Sequence, residues 1–243
     1  MNTTRDFTEE EYEALIIFLK KKFTFVSYNQ EIINDSIVWR HDVDFSVHRA
    51  LSLAKIEHKH GISATYFLQP SSIYYSLFDE EIKKIIKQII SLGHYIGLHF
   101  YSQSYNISST EDLEKYLTFE AQIIENLFQS KVKVFSFHNP SKEDLEKWTE
   151  FKYANMINSY STKIKSEMTY CSDSNGYWRH KNIRETVKNA KNSKFQILTH
   201  PVWWTKRTMK PRKKIVLALV GRKEAQLQDY DNLLSTNSRK NIQ

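Results

Sequence analysis

Short apolar segments typical of β-strands alternate with helical segments along this chain of 243 residues, and this alternation constrains the fold more than any other feature. The predicted strands are residues 37–40, 63–68, 95–100, 132–137, 156–160, 168–172 and 195–199. Periodic apolar segments lie between most of them, such as 79–91, where isoleucines recur every three or four residues. Strands separated by helices favour a parallel sheet, and about seven such strands suggest a closed barrel. The sequence therefore predicts an α/β fold.

Ionisable side chains follow the ends of these predicted strands. The first strand runs into Asp42 and Asp44, which are two positions apart and would share one face of an extended chain. Two carboxylates on one face need partners when buried, and they can hold a divalent cation or act as base and ligand. Similar endings recur at Gly97-Leu98-His99, Ser136-Phe137-His138-Asn139-Pro140, Ser172-Asp173-Ser174 and Leu198-Thr199-His200-Pro201. Because parallel barrels carry their active sites at the carboxyl ends of the strands, these residues predict one active site.

The composition favours one domain. Five glycines, four prolines and the lack of a low-complexity tract give no sign of a flexible linker, so we expect a single domain over 1–243. Its core would cover about 37–204, followed by a C-terminal basic segment and helix at 205–243. The one cysteine, Cys171, excludes an intramolecular disulfide and fits a reducing compartment. We interpret Cys171 as a small packed residue at a strand end rather than as a nucleophile.

Charge and hydropathy indicate the location and the partners. Neither a secretory signal nor an apolar run of the ~20 residues that span a bilayer is visible, so we expect a soluble, cytoplasmic protein. The formal charge of +7 is concentrated in the run 206–214 and in Arg239-Lys240. Basic runs can contact nucleic acid, anionic lipid or acidic glycans, but a solvated loop is the commoner outcome. We expect no nucleic-acid partner, and the oligomeric state stays open.

Five segments, taken in order, resemble the motifs of one enzyme family. They are RHDVD at 40–44, GHYIGLHF at 93–100, FSFHNPS at 135–141, SDSNGYWR at 172–179 and LTHPVWW at 198–204. In this order and spacing they are similar to the polysaccharide deacetylases, the NodB-homology enzymes of carbohydrate esterase family 4, and in particular to a subgroup associated with bacterial surface-polysaccharide synthesis. The resemblance implies a distorted (β/α) barrel of about seven parallel strands. It also implies metal-dependent removal of N- or O-acyl groups from a sugar or sugar derivative.

The resemblance further implies a metal centre. In the family the first Asp of the opening motif is the general base and the next binds the metal, which matches Asp42 and Asp44, although a valine separates two residues that are commonly adjacent. His99 matches a metal-binding His, whereas the second His of that motif falls at Gln103, a poor ligand. His138 stands where the family commonly has an Arg-Pro segment and could supply the missing imidazole. A divalent cation is then expected on Asp44, His99 and His138, zinc first, with cobalt, nickel or manganese as alternatives.

The last two motifs imply the acid and the walls of the pocket. His200 matches the His that acts as general acid for the leaving amine or alcohol, and Asp173 matches the residue that orients it through a hydrogen bond. Tryptophan faces could stack on a pyranose ring. The residues expected to contact the substrate are Trp178, Arg179, Trp203 and Trp204.

Each of these assignments has a structural alternative. Asp44 could cap the helix that follows it, His138 could be a turn residue before Asn-Pro, and His200 could be a buried, hydrogen-bonded histidine. The tryptophans could equally belong to the core.

Three functions fit the sequence. The first is a metal-dependent deacylase acting on an N-acetylated sugar or sugar nucleotide in glycan assembly. The second is an amidohydrolase acting on a non-carbohydrate C–N bond, because a fold alone does not select the substrate. The third is a binding protein that has lost turnover, which Gln103 and the missing Arg of the third motif keep open.

Overall fold

The computed structural model describes residues 7–178, 182–190 and 193–242. In these residues the chain forms eight α-helices, which are α1 (Glu9–Lys20), α2 (Val47–Lys59), α3 (Glu80–Ser91), α4 (Thr110–Phe128), α5 (Lys142–Lys147), α6 (Thr162–Glu167), α7 (Ile183–Asn189) and α8 (Pro211–Thr236). The same residues form nine strands, which are β1 (Thr24–Val26), β2 (Ser36–Val43), β3 (Thr65–Leu68), β4 (Tyr95–Phe100), β5 (Val134–Phe137), β6 (Lys152–Tyr153), β7 (Met156–Asn158), β8 (Thr169–Ser172) and β9 (Lys194–Thr199).

The strands form one sheet in the order β6-β7-β5-β4-β3-β2-β9-β8, with β1 beside β2. Every pairing is parallel except that of β6 with β7. β2 is central, because β9 lies along one edge of it while β1 and β3 follow one another along the other edge. The sheet curls into a half-barrel, and the described residues show no pairing between β8 and the β6–β7 end. The predicted α/β fold, a distorted barrel of mostly parallel strands, is confirmed. The barrel is not closed as the number of strands suggests, because its two end strands do not pair among the described residues.

The apolar core lies on both faces of the sheet. On one face, helices α1 to α4 cover a large cluster that includes Trp39 of β2. On the other face a smaller cluster includes Val38 and Phe67. Because side chains alternate along a strand, β2 sends Val38, Arg40 and Asp42 to this second face. The smaller cluster therefore supports a charged layer at the carboxyl end of the sheet.

The shortest elements escape sequence-based prediction. The unpredicted elements β1, β6 and α6 contain three, two and six residues, too few to show a periodic pattern. The sequence pattern predicts the last two helices at 182–192 and 214–234, whereas the structure has α7 at Ile183–Asn189 and α8 at Pro211–Thr236. Residues 191–192 lie outside the described residues. None of the described helices is long and apolar enough to cross a membrane.

Candidate active site and metal centre

Five strand ends meet at the carboxyl edge of the sheet. Asp44 follows β2, His99 is the penultimate residue of β4, and His138 follows β5. Asp173 and His200 follow β8 and β9, which lie side by side next to β2. Since these five strands are mutually parallel, their ends share one edge, and the structure brings together residues that are up to 156 positions apart in the sequence, from Asp44 to His200.

The donor atoms of three side chains converge at this edge. Asp44 Oδ1 lies 3.0 Å from His99 Nε2 and 3.3 Å from His138 Nδ1, and the two imidazole nitrogens are 3.0 Å apart. In the described part of the chain this is the one group of three His, Cys, Asp or Glu residues with converging donors. Zinc binds such atoms at about 2.0–2.2 Å, which separates neighbouring ligand atoms by roughly 3 Å. The spacing therefore fits a single divalent cation.

The electrostatics of these side chains also fit a cation. Asp44 Oδ1 and His99 Nδ1 are buried and have no hydrogen-bond partner among the described residues. Burial raises the pKa of Asp44, but the imidazoles of His138 and His99 outweigh burial and hold this pKa well below its ordinary value. Asp44 is thus a carboxylate at neutral pH. One carboxylate and two imidazoles are ligands that zinc commonly takes, and they leave coordination positions for water or substrate.

Two alternatives from the sequence are decided by geometry. The side chain of Ser46, not that of Asp44, caps α2, because Ser46 Oγ accepts from the backbone N–H of Arg49 at 3.3 Å. The exposed side chain of Gln103 accepts a hydrogen bond from the Tyr101 hydroxyl at 3.2 Å. His138, and not Gln103, is therefore the residue that the structure places with Asp44.

Asp42 is held by a cation from its own strand. One nitrogen of the buried Arg40 guanidinium, Nη2, lies 2.7 Å and 2.8 Å from the two Asp42 carboxylate oxygens. Arg40 also donates to the hydroxyls of Ser159, at 2.9 Å, and Ser136. Burial raises the pKa of Asp42, but Arg40 outweighs it, so this pKa lies below its ordinary value. Asp42 is therefore ionised and oriented. Arg40 was not predicted from the sequence, although its position two residues before Asp42 puts both side chains on one face of β2.

An aromatic floor supports Arg40. The guanidinium carbon lies 4.6 Å from the centroid of the Phe67 ring and 5.4 Å from that of Tyr160. Gly97 of β4 makes room for Phe67, since a Cβ at this position would lie 2.7 Å from two carbons of the ring. A larger residue at position 97 would push Phe67 towards Arg40. Gly97 therefore belongs to the support of the site.

A second pair of side chains, Asp173 and His200, lies at the ends of β8 and β9. Asp173 Oδ1 lies 2.7 Å from His200 Nδ1, and both carboxylate oxygens accept from the His200 backbone N–H. Trp204 Nε1 donates to Asp173 Oδ2 at 2.7 Å. Burial opposes the charged imidazole, but the hydrogen bond and charge of Asp173 outweigh it and raise the pKa of His200 to about 9. With Nδ1 on Asp173, His200 presents its Nε2 proton to the site.

An open cleft of about 470 Å³ connects these groups. Asp42, Asp44 and His200 line one end of it, and Tyr170 lines its wall. Cys171 also lines the cleft, where burial raises the pKa of its thiol to about 11. Because the thiolate is the nucleophilic form, this shift supports a packing role for Cys171.

The predicted sugar-stacking tryptophans lie elsewhere. Trp178, Trp203 and Trp204 are buried in the large core cluster and do not line the cleft. Trp178 and Trp204 pack against Phe7 with ring centroids 5.2 Å and 5.0 Å apart. We therefore correct the substrate-binding assignment of these three residues to a core role, because buried rings offer no face to a pyranose. Arg179, the other predicted substrate contact, lies outside the described residues.

A buried polar network behind β2 is a further feature that sequence reasoning missed. His41 points to the helix-covered face, where its Nε2 lies 2.6 Å from Glu57 Oε1 and its Nδ1 lies 2.8 Å from Thr199 Oγ1. The Tyr66 hydroxyl donates to Glu57 Oε2 at 2.6 Å, and the Tyr12 hydroxyl donates to Oε1. Thr199 directly precedes His200, so the network holds the end of β9 against β2. No local sequence pattern indicates it, because its members come from five separate elements, α1, β2, α2, β3 and β9.

Comparison with solved structures finds several proteins of similar fold. A carbohydrate esterase family 4 pseudoenzyme from Bacillus anthracis matches at 15% identity and a TM-score of 0.46, over 84% of this chain and 65% of that one, so the chain spans about two thirds of this relative. A peptidoglycan N-acetylglucosamine deacetylase matches at 15% identity and a TM-score of 0.46, over 86% and 90% of the two chains. An acetyl xylan esterase from Clostridium thermocellum, solved with cobalt, matches at 14% and 0.40, over 84% and 92%.

These three structures come from the group of carbohydrate esterases and deacetylases that the motifs of this chain resemble. No family model and no curated protein matches the sequence. With identities of 14–15% and TM-scores of 0.40–0.46, these likenesses assign neither an activity nor a substrate to this chain.

Proposed function

We propose that this protein is a metal-dependent hydrolase that removes an acyl group, acetyl in the first instance, from a sugar or sugar derivative. One observation supports this most directly: the donor atoms of Asp44, His99 and His138 converge within 3.3 Å of each other at one end of a cleft. Asp42 lies beside His99, at 3.8 Å, and His200 lies beside Asp44, at 3.9 Å. Cation, base and acid are the three groups that hydrolysis of an acyl bond requires. The acyl sugar comes from the motif resemblance.

A divalent cation on Asp44, His99 and His138 would supply a Lewis acid for the acyl carbonyl and the attacking water. Asp42 takes the proton of that water. Its carboxylate is held ionised and fixed in direction by Arg40, so it needs no reorganisation before it accepts the proton.

His200 supplies the proton for the leaving group. Its pKa of about 9 keeps the imidazole protonated at neutral pH, and its Nδ1 is fixed by Asp173. The proton on Nε2 is therefore the one available to the departing amine or alcohol. After His200 has given up this proton, the carboxylate of Asp173 favours reprotonation of the imidazole.

We also propose the ion, the substrate and the setting of the reaction. Zinc is the expected ion, and the substrate is an N-acetylated sugar or a sugar nucleotide. The reaction belongs to bacterial surface-glycan assembly in the cytoplasm. The five motifs support these three assignments.

The test is acetate release by protein loaded with zinc, cobalt, nickel or manganese, measured on a panel of N- and O-acetylated sugars. Asp42→Asn and His200→Ala should each lower turnover by ~10²-fold or more while the metal stays bound, because a positioned base or acid contributes ~10²–10⁴. Asp35→Asn and His48→Ala change exposed residues of the same types and should retain activity.

Two results would redirect the proposal. Metal-loaded protein that cleaves simple amides but releases nothing from acetylated sugars would be a non-carbohydrate amidohydrolase. Full metal occupancy without turnover on either panel would leave a binding protein. Near-normal turnover in both Asp42→Asn and His200→Ala would refute the assigned roles.

A further inference from the structure

The last helix, α8, is attached to the protein along one side only. Lys214 is the only buried residue of its 26, and Lys214 Nζ donates to the backbone carbonyl of Phe7 at 2.9 Å. Two turns later Arg222 pairs with Asp79 and Glu81 of α3 and its cap. After Arg222, the described residues of α8 form no hydrogen bond or ion pair with the preceding part of the chain. A helix of this kind gains little stability in water from its own hydrogen bonds.

The opposite side of α8 carries an exposed apolar stripe with heptad spacing. We call this set the outer stripe: Val216, Val220, Lys223, Leu227, Tyr230 and Leu234. The spacings alternate between four and three residues, and at 3.6 residues per turn all six lie within about 40° of a common direction. Val216, Val220, Leu227 and Tyr230 are each 43–54% exposed. A stripe with this period fits the seam of a two-helix coiled coil.

The charges of α8 are divided between its two halves. Residues 211–223 contain five Lys or Arg and no acidic residue, whereas 224–236 contain three Asp or Glu and no basic residue. Two such helices side by side attract each other when they run in opposite directions and repel when they run in the same direction. The acidic half also disfavours an anionic lipid surface along the whole stripe.

We propose that the outer stripe binds α8 of a second copy of this chain, in antiparallel orientation. Such an interface is self-complementary and closes as a twofold dimer. Because Lys214 and Arg222 lie on the other side of the helix, the bodies of the two copies stand on the outer sides of the helix pair.

The stripe fixes the register. With the twofold axis at Ala225, Val216 faces Leu234 of the second copy and Val220 faces its Tyr230. Lys223 then packs its aliphatic stem beside Leu227 of the second copy and keeps its ammonium group at the edge of the seam. Each layer joins an a position to a d position, as in antiparallel coiled coils.

The experiment compares the mass of the full chain in solution, by sedimentation equilibrium, with that of two single variants. Val220→Glu puts a carboxylate into the layer with Tyr230 of the second copy, beside the acidic half of that helix, and should raise the dimer dissociation constant at least tenfold. Leu233→Glu introduces the same charge at a residue that is 63% exposed and about 100° away from the stripe, and it should remain dimeric. Both positions are exposed, so circular dichroism should show unchanged folding.

A separate experiment, disulfide cross-linking, tests the orientation of the two helices. An equimolar mixture of Val216→Cys and Leu234→Cys should give a disulfide between the two variants, while Val216→Cys alone should give none. A monomeric wild type at 100 µM concentration, or equal weakening by both Glu variants, would overturn the proposal. Cross-linking of Val216→Cys to itself would overturn the antiparallel orientation. A monomer that co-sediments with phosphatidylglycerol vesicles would show that the stripe binds lipid instead.

Discussion

Replacing Arg40 by Met should destabilise the protein strongly, because it leaves the Asp42 carboxylate buried without its cation. Arg40 donates to both oxygens of Asp42, at 2.7 Å and 2.8 Å, and also to Ser159 and Ser136. Both members of the pair are almost fully buried. Removing one partner of a buried pair costs about 3–5 kcal/mol, mostly from the unpaired charge that remains. That is a large share of the roughly 5–15 kcal/mol by which domains are stable.

A double-mutant cycle separates the unpaired charge from the lost packing. Asp42→Asn removes the charge that Arg40→Met leaves unpaired, so the double variant should be about 2 kcal/mol more stable than the sum of the two single losses predicts. The measurement is urea unfolding at pH 7.5 in the presence of a chelator, so that metal binding contributes nothing. Arg207→Met, at an exposed position, is the control and should change the free energy of unfolding by less than about 0.5 kcal/mol.

Additive losses of stability in the double variant would contradict this prediction. If the free energies of the two single variants add to within about 0.5 kcal/mol in the double variant, Arg40 and Asp42 do not act as a pair. A loss below about 1 kcal/mol for Arg40→Met alone would equally show that Asp42 finds water or another donor when Arg40 is absent.

The remaining predictions concern the metal and a buried carboxyl. Asp44→Ala and His138→Ala should keep the circular dichroism spectrum of the wild type but lose zinc on dialysis, whereas Gln103→Ala should retain one zinc per chain. Zinc content is measured by inductively coupled plasma mass spectrometry. A His138 nitrogen farther than ~2.0–2.1 Å from zinc in a crystal structure would remove it from the ligand set. Burial raises the pKa of Glu120 from 4.5 to about 7, so the folded chain keeps a proton that the unfolded chain loses over this range. Stability should therefore fall as pH rises from 4.5 to 7, by up to about 3 kcal/mol. Glu120→Gln, which still accepts from Tyr105, should not show this fall in urea titrations, and parallel pH profiles would contradict the assignment.

The fold was largely accessible from the sequence because its signals are local. Each of the seven predicted strands corresponds to a strand of the sheet, and the strand ends could be recognised because apolar runs stop at ionisable residues. The order of the strands was not accessible, since it depends on which faces pack together. That β9 lies between β2 and β8, and so brings His200 to both Asp44 and Asp173, is a property of the tertiary structure.

The candidate site was likewise predictable only in part from the sequence. His99 and His138 could be proposed from motifs, and their convergence follows once β4 and β5 are neighbours. The tryptophan assignment failed because a motif records residue type and not burial: Trp204 turns inward, where it donates to Asp173. Arg40 could have been found from strand alternation alone, since it shares a face with Asp42.

The two faces of β2 together control the distance between the proposed base, Asp42, and the proposed acid, His200. Arg40 and Asp42 lie on the face of β2 that carries the smaller apolar cluster. His41, between them in sequence, lies on the helix-covered face and contacts Thr199. Because His41 is also held by Glu57 at 2.6 Å, its ring cannot follow β9 if that strand shifts. The end of β9, and with it His200, is thereby tied to the strand that carries Asp42. All members of this network are buried, and a displaced strand would leave at least one of their polar atoms unsatisfied, which costs about 1–3 kcal/mol. The separation of Asp42 and His200, the proposed base and acid, is thus set by buried residues that do not line the cleft.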